Sequence, residues 1–143
     1  MSIRRVQKTD ILRLAQLETL QPFSAQWGPK GWEQELENSA ACVWCFEEDD
    51  VKGFVSSRGA AGMAEILNIA VDPACCHRGI GFALLNHALC ALKEQGVTDV
   101  TLEVNVHNYA ALALYKKAGF EERGRRKKFY HQSEDALIMG KIL

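Results

Sequence analysis

The sequence predicts a mixed α/β fold, one sheet with helices on both faces, and three observations carry that expectation. Strand and helix patterns follow one another in the order β, α, α, β, β, β, α, β, α, β, β, which joins a hairpin-built half to a strand-helix-strand half. Residues 65–71 form a nearly unbroken apolar run stopped by Asp72-Pro73, the mark of a central strand covered on both faces. The 143 residues match the commonest size of one domain and suffice to bury about two thirds of the unfolded surface. Residues 1–143 are therefore expected to fold as one domain.

The elements follow in order. Residues 3–6 read as a short first strand, and Thr9 or Asp10 can cap a helix whose apolar positions Ile11, Leu14, Ala15 and Leu17 recur at helical spacing. Pro22, Gly28 and Pro29 break the segment 21–31 into a loop, with a second helix expected over 32–37. Residues 41–47 and 51–57 are β-rich runs joined by a hairpin at Glu48-Asp49-Asp50. After the central strand, Leu84, Leu85, Ala88, Leu89 and Leu92 fit one helical face from Gly81 onward, with Gly96 as the stop. Over 98–106, Val100, Leu102, Val104 and Val106 alternate with Thr101, Glu103 and Asn105. Asn108 can cap a further helix that ends at Gly119, and residues 120–130 and 136–143 predict a closing hairpin.

Composition narrows the function classes. With 17 Lys and Arg against 18 Asp and Glu the net charge is −1, and 48% hydrophobic residues describe an ordinary globular chain rather than a disordered or fibrous one. Near-neutral charge gives no general attraction to nucleic acid, and no apolar stretch approaches the roughly 18 residues of a membrane span. Without an apolar leader, a soluble cytoplasmic protein is expected, and a monomer is favoured. Five cysteines (Cys42, Cys45, Cys75, Cys76, Cys90) are an odd number and read as reduced, buried thiols. Cys42 and Cys45 have C-x-x-C spacing, but on a strand positions three apart face opposite ways, so no metal site is expected. Arg123, Arg125, Arg126, Lys127 and Lys128 form one local basic run, either a solvated strand edge or a contact for a phosphate-bearing cofactor or acidic partner.

The most informative stretch joins the central strand to the long helix through Arg78-Gly79-Ile80-Gly81. Glycines let backbone amides of about Arg78 to Phe82 approach an anion closely, and a helix start adds roughly half a positive charge, which suits a phosphate. Neither the P-loop nor the G-x-G-x-x-G signature is present. Taken alone, the same turn is equally a plain strand-to-helix connection.

Here the chain resembles the Gcn5-related N-acetyltransferase superfamily, and within it the bacterial ribosomal-protein alanine N-acetyltransferase type. The resemblance runs almost end to end. It is carried by Leu67-Asn68-Ile69-Ala70-Val71-Asp72-Pro73, Arg78-Gly79-Ile80-Gly81 with Ala83-Leu84-Leu85, Leu102-Glu103-Val104, Asn108-Tyr109-Ala110-Ala111 with Leu114-Tyr115, Gly119-Phe120, and Glu134-Asp135-Ala136-Leu137-Ile138-Met139. It implies a mostly antiparallel sheet splayed between two central strands. It also implies an acetyl-coenzyme A site: pyrophosphate on the amides of His77, Arg78, Gly79, Ile80, Gly81 and Phe82, the pantetheine arm beside Ile69, Ala70 and Val71, and Asn108 touching the cofactor. Asn108 serves equally as a plain helix cap. The chain has Cys76 and His77 where the family's loop usually begins with Gln or Arg, and a short segment at His131-Gln132-Ser133.

Acetyl transfer from a thioester to an amine needs a neutral amine, a place for the oxyanion, and a proton for the thiolate. By resemblance Glu103 is the base and Tyr115 the general acid. By their residues alone, Glu103 is also a salt-bridge carboxylate on a sheet surface and Tyr115 a packing tyrosine. A backbone N–H near Ile69 or Ala70 is the expected oxyanion donor, with direct attack rather than an acyl-enzyme. The substrate implied is the N-terminal alanine of ribosomal protein S18, in a groove lined by the loop 23–32 and by Tyr130; those aromatics are otherwise core cover. Two other readings stay open: a lysine, polyamine or small-amine acetyltransferase, and a coenzyme A-binding regulatory module without turnover. His107 and His131 read as surface residues.

Overall fold

The structure is a computed structural model that describes residues 2–130 and 134–143, the side chains of 128–130 excepted. The elements are β1 (Ser2–Arg5), α1 (Ile11–Thr19), α2 (Gly28–Glu37), β2 (Ala41–Glu48), β3 (Asp50–Ala60), β4 (Met63–Val71), α3 (Ile80–Glu94), β5 (Asp99–Asn105), α4 (Tyr109–Lys117), β6 (Glu121–Tyr130) and β7 (Glu134–Ile142). Their order is the predicted one. The strands make one sheet in the order β1-β2-β3-β4-β5-β7-β6. β1 to β4 pair antiparallel, as do β5, β7 and β6; the β4–β5 contact that joins the two halves is parallel. Among the described residues no helix is long and apolar enough to cross a membrane.

The sheet separates two cores, because successive strand residues point to opposite faces. On one face, Leu14 and Leu17 of α1 and Trp32 of α2 pack on Val43, Cys45, Phe54 and Ala70. On the other, Leu84, Leu85, Ala88, Leu89 and Leu92 of α3, the five residues of the predicted helical face, pack on Val55, Ile66, Val100, Leu102 and Val104. Cys45 belongs to the first core, where burial pushes its thiol up to about 11; burial raises Cys42 as well. These two are therefore protonated packing thiols. Cys75 is also buried, whereas Cys76 and Cys90 are exposed, which corrects the expectation of buried thiols for that pair. Among the described residues no cluster of metal-ligating side chains occurs.

Three boundaries differ from those the sequence predicts. Helix α2 begins at Gly28, inside the expected loop, because Pro29 fits a first helical turn and the buried Glu18 carboxylate accepts the N–H groups of Trp27 and Gly28 at 3.2 Å each. Burial raises the Glu18 carboxyl above the ordinary range. Strands β3 and β4 are longer than expected and meet in a tight turn at Ala61 and Gly62, both with positive φ (54° and 81°), the geometry that matches strand twist. Asp10 does not cap α1: its carboxylate turns back to the Gln7 N–H (2.8 Å) and to the Arg4 guanidinium (2.9 and 3.0 Å).

That last pair ties β1 to the start of α1, with Glu47 of β2 as a third member. The hydrogen bond from Arg4 holds the Asp10 carboxyl below its ordinary value, so its stabilisation is fully present above the unfolded value of about 3.9 and is lost as pH falls below it. Asp10→Asn is expected to lower stability at pH 7 by about 1–3 kcal/mol, and the deficit is expected to shrink as pH drops through 4 to 3. Urea unfolding at pH 7 and pH 3 checks this; a deficit that grows in acid contradicts it. Trp32→Ala removes a fully buried ring stacked edge-on against Phe54 (5.0 Å) and is expected to cost about 3–5 kcal/mol in the same assay.

Candidate functional site

The site begins where the central ladder ends. Parallel pairing of β4 and β5 covers Met63↔Asp99 to Ile66↔Leu102 and goes no further. The pairing of β4 with β3 skips Leu67, since Ser57 faces Ile66 while Ser56 faces Asn68, and this bulge bends β4 as it leaves β5. Beyond it, the N–H of Asp72 donates to Lys52 on the β3 side (2.7 Å). Strand alternation therefore turns the peptide groups of Val71 and Ile69 into the gap and those of Ala70 toward β3. The Val71 carbonyl accepts a hydrogen bond from the Gln21 side chain, and an amide from outside the sheet thus fills one vacated position.

The gap opens into a cleft of about 630 Å³. Its walls are Leu67, Asn68 and Ile69 of β4, Glu103, Val104 and Asn105 of β5, residues 21–25 of the α1–α2 loop, and Asn108 to Ala111 with Tyr115 on the α4 side. Four expected site residues, Ile69, Glu103, Asn108 and Tyr115, thus meet in one cavity. Glu103 is half-buried and its carboxylate lies 2.7 Å from the Arg126 guanidinium, so the salt-bridge reading of this residue holds. Tyr115 is buried and stacks edge-on against Phe120 (ring centroids 5.8 Å apart). Asn108 caps α4, its Oδ1 accepting the Ala111 N–H at 3.3 Å.

The glycine turn follows the C-terminal end of β4, the end that has left β5. His77 (φ 64°) and Gly79 (φ 79°) are both left-handed, and Gly79 occupies the cap position of α3. Ala83 donates to the Gly79 carbonyl, so the N–H groups of Ile80, Gly81 and Phe82 have no acceptor within the helix, and Gly79 has no side chain to offer one. The space where a Gly79 side chain would stand is open, so three amides and the positive helix end face outward. Arg78 is turned aside by an ion pair with Glu48 (2.9 Å). A cation that sequence reasoning passed over sits beside the cradle: the Lys117 Nζ lies over the Phe82 ring, 4.4 Å from its centroid.

Three charges of the basic run are neutralised within the sheet. Arg123 pairs with Asp99 (2.6 Å), Arg125 with Asp135 (3.2 Å) and Arg126 with Glu103. Arg123 reaches Asp99 by crossing Gly140, where a Cβ would collide with the guanidinium group. Of the expected groove aromatics, Phe23 lines the cleft and is exposed, whereas Trp27 and Trp32 stack on each other (4.7 Å) in the α1–α2 core, so the loop 23–32 does not line a groove throughout. The Tyr130 side chain and His131-Gln132-Ser133 lie outside the described residues. Sequence reasoning also missed the polar end of the cleft, where Asn105 donates to Glu134 and His107 Nδ1 lies 3.5 Å from the same carboxylate. A signal existed for Asn68, a lone amide inside the apolar run 66–71. None existed for Gln21 or Glu134, whose roles follow from long-range register.

Known proteins resemble this chain in sequence and in fold. Residues 9–120 match the profile of the Acetyltransferase (GNAT) family. The [ribosomal protein bS18]-alanine N-acetyltransferase of Salmonella typhimurium is 39% identical over 95 residues, 64% of each chain, and a Bacillus subtilis relative is 33% identical over 141 residues, 96% of this chain and 93% of its own. The matched segments span 64% and 53% of the Salmonella and Escherichia coli relatives. The crystal structure of the Escherichia coli ribosomal-protein-S18-alanine N-acetyltransferase superposes with a TM-score of 0.89 at 29% identity, over 99% of this chain and 92% of that one.

The two glycines of the turn are expected to respond differently to alanine. Gly79→Ala forces a Cβ into a left-handed residue and is expected to cost about 1 kcal/mol or more, with no clash involved. Gly81→Ala puts its Cβ in ordinary contact with Leu114 Cδ2 (3.5 Å) and is expected to be neutral or slightly stabilising. Thermal unfolding of the pair checks this, and equal losses contradict the assigned turn.

Proposed function

The chain belongs to the acetyltransferase (GNAT) family, and from that premise we propose that it transfers the acetyl group of acetyl-coenzyme A to the N-terminal alanine of ribosomal protein bS18. The observation that carries this reading is the parting of β4 from β5, which sets Glu103, Tyr115 and unpaired β4 backbone around one cleft. The acceptor is supported by the activity named for the Salmonella relative. On this reading residues 1–143 act as one acetyltransferase domain, a monomer of the cytoplasm.

The residues present fit the donor. The three outward amides of Ile80, Gly81 and Phe82, with the turn at His77, Arg78 and Gly79, suit a pyrophosphate, and Lys117 adds a cation nearby. The gap-facing peptide group of Ile69 and the N–H of Val71 suit the amide-bearing pantetheine arm, with Ala70 between them holding the strand to β3. Asn108, at the cleft rim, contacts the same arm while it caps α4.

The bound thioester supplies the electrophilic acetyl carbon. The amine nitrogen attacks it, the new N–C bond forms, and the C–S bond breaks. Glu103 takes the proton of the amine through water, the Ile69 N–H holds the oxyanion, and the Tyr115 hydroxyl gives a proton to the departing thiolate. Tyr115 suits that task because a phenol of ordinary pKa about 10 is nearly matched to an alkyl thiol. An α-amino group, at about 7.7 to 8.0 against about 10.4 for lysine, needs only one modest base to become neutral near pH 7. No metal enters this chemistry.

Intact-mass analysis of a peptide bearing the bS18 amino terminus, after incubation with acetyl-coenzyme A, is expected to show one added acetyl group. Glu103→Gln and Tyr115→Phe are expected to lower kcat by about 100-fold or more, the first most at low pH, where more of the amine carries its proton. Preferential acetylation of lysine side chains or small amines overturns the acceptor. Unchanged kcat in both variants overturns the catalytic assignment.

A further inference from the structure

We infer that Asn68 is an acceptor-binding residue whose side-chain N–H donates to the first peptide carbonyl of the acceptor, so that the site selects the end of a peptide chain over a free amine. This rests on the acetyl-transfer reading above and goes beyond it by naming what the cleft reads on the acceptor. Asn68 follows the Leu67 bulge, on the stretch of β4 that has left β5, and is among the residues that line the same cleft as Glu103 and Tyr115.

Two independent observations set Asn68 apart. It is only 6% exposed, yet its Nδ2 has no hydrogen-bond partner among the described residues. Its other end is held: Oδ1 accepts a hydrogen bond from Ser24 Oγ at 3.0 Å, and Ser24 belongs to the α1–α2 loop that forms the opposite wall. An orphaned buried donor costs about 1–3 kcal/mol, and few native polar groups are left so. Ser56, directly across β3, has a fully buried Oγ that is also without a partner, so neither strand neighbour nor loop satisfies this end of the amide. The rest of the run is apolar (Ile66, Leu67, Ile69, Ala70, Val71), and packing alone gives no reason for an amide.

A fixed N–H donor beside an amine site matches one feature of a peptide amino terminus. Its first carbonyl is two bonds from the reactive nitrogen, whereas a lysine side chain or an alkylamine carries methylenes there. A site built to hydrogen-bond a substrate group rejects the analogue that lacks it, because the buried partner is then left unpaired.

The test uses the full chain with acetyl-coenzyme A and two acceptors: an alanine-initiated peptide, and the same peptide with its first amide replaced by an (E)-alkene, which keeps the shape and removes the carbonyl. The parent is expected to favour the peptide by about tenfold or more in kcat/KM, mostly through KM. Asn68→Ala, and Asn68→Asp, which keeps the size and the acceptor for Ser24 but loses the donor, are expected to lose that factor on the peptide. They are expected to lose little on the isostere and to keep the parental KM for acetyl-coenzyme A, which also reports that the variants are folded. Equal losses on both acceptors, or variants that match the parent on the peptide, overturn the assignment of Asn68 while leaving acetyl transfer intact. A parent that acetylates neither acceptor overturns the acetyl-transfer reading itself, and this inference with it.

Discussion

The hydrogen-bond ladder between β4 and β5 joins the two halves of the sheet and then stops, at Ile66 and Leu102. A buried strand does not give up its partner without consequence, since every vacated N–H and C=O needs another. The bulge at Leu67 makes the separation possible, and the Gln21 amide on the Val71 carbonyl shows how one vacated group is met from outside the sheet. What remains facing the gap, the peptide group of Ile69 and the N–H of Val71, has the pattern of a strand awaiting a partner. A pantetheine arm, with its two amides, has the chemistry to be that partner.

Two antiparallel halves hold this opening in place. α1 and α2 clamp β1 to β4 through Leu14, Leu17, Trp32 and Phe54, and α3 bridges the two halves because its apolar face touches Val55 and Ile66 on one side and Val100 and Leu102 on the other. Across β5, β7 and β6, Arg123, Arg125 and Arg126 each find a carboxylate, so the basic run serves the sheet and its cleft wall. The Arg126 pair has a second effect: it fixes the Glu103 carboxylate at the edge of the opening.

Local pattern carried most of the architecture. The α3 face of four leucines and one alanine, the alternation along β5 and the glycine stops at Gly96 and Gly119 are properties of a few adjacent residues, and each appears where its pattern lies. The start of α2 was not legible, because its cap comes from Glu18, nine and ten residues upstream of the amides it binds. Nor was the turn at Ala61-Gly62, whose first residue takes a positive φ without being Asn, Asp or Gly. In the site, the glycine turn was visible in its own residues, whereas Glu103 and Tyr115 were singled out by the family resemblance alone. Asn68, Gln21 and Lys117 depend on where β4, the α1–α2 loop and α4 come to lie in space, which no window of sequence contains.

Amide-resolved hydrogen exchange, with and without coenzyme A, tests most directly whether the parted strands form a receiving edge. The amides of Ile69 and Val71, together with those of Ile80, Gly81 and Phe82, should exchange readily in the free protein and become protected when coenzyme A is added, while Ala64 and Ile66, within the paired stretch, change little. Protection that leaves Ile69 and Val71 as fast as before would mean that the gap is not where the donor lies.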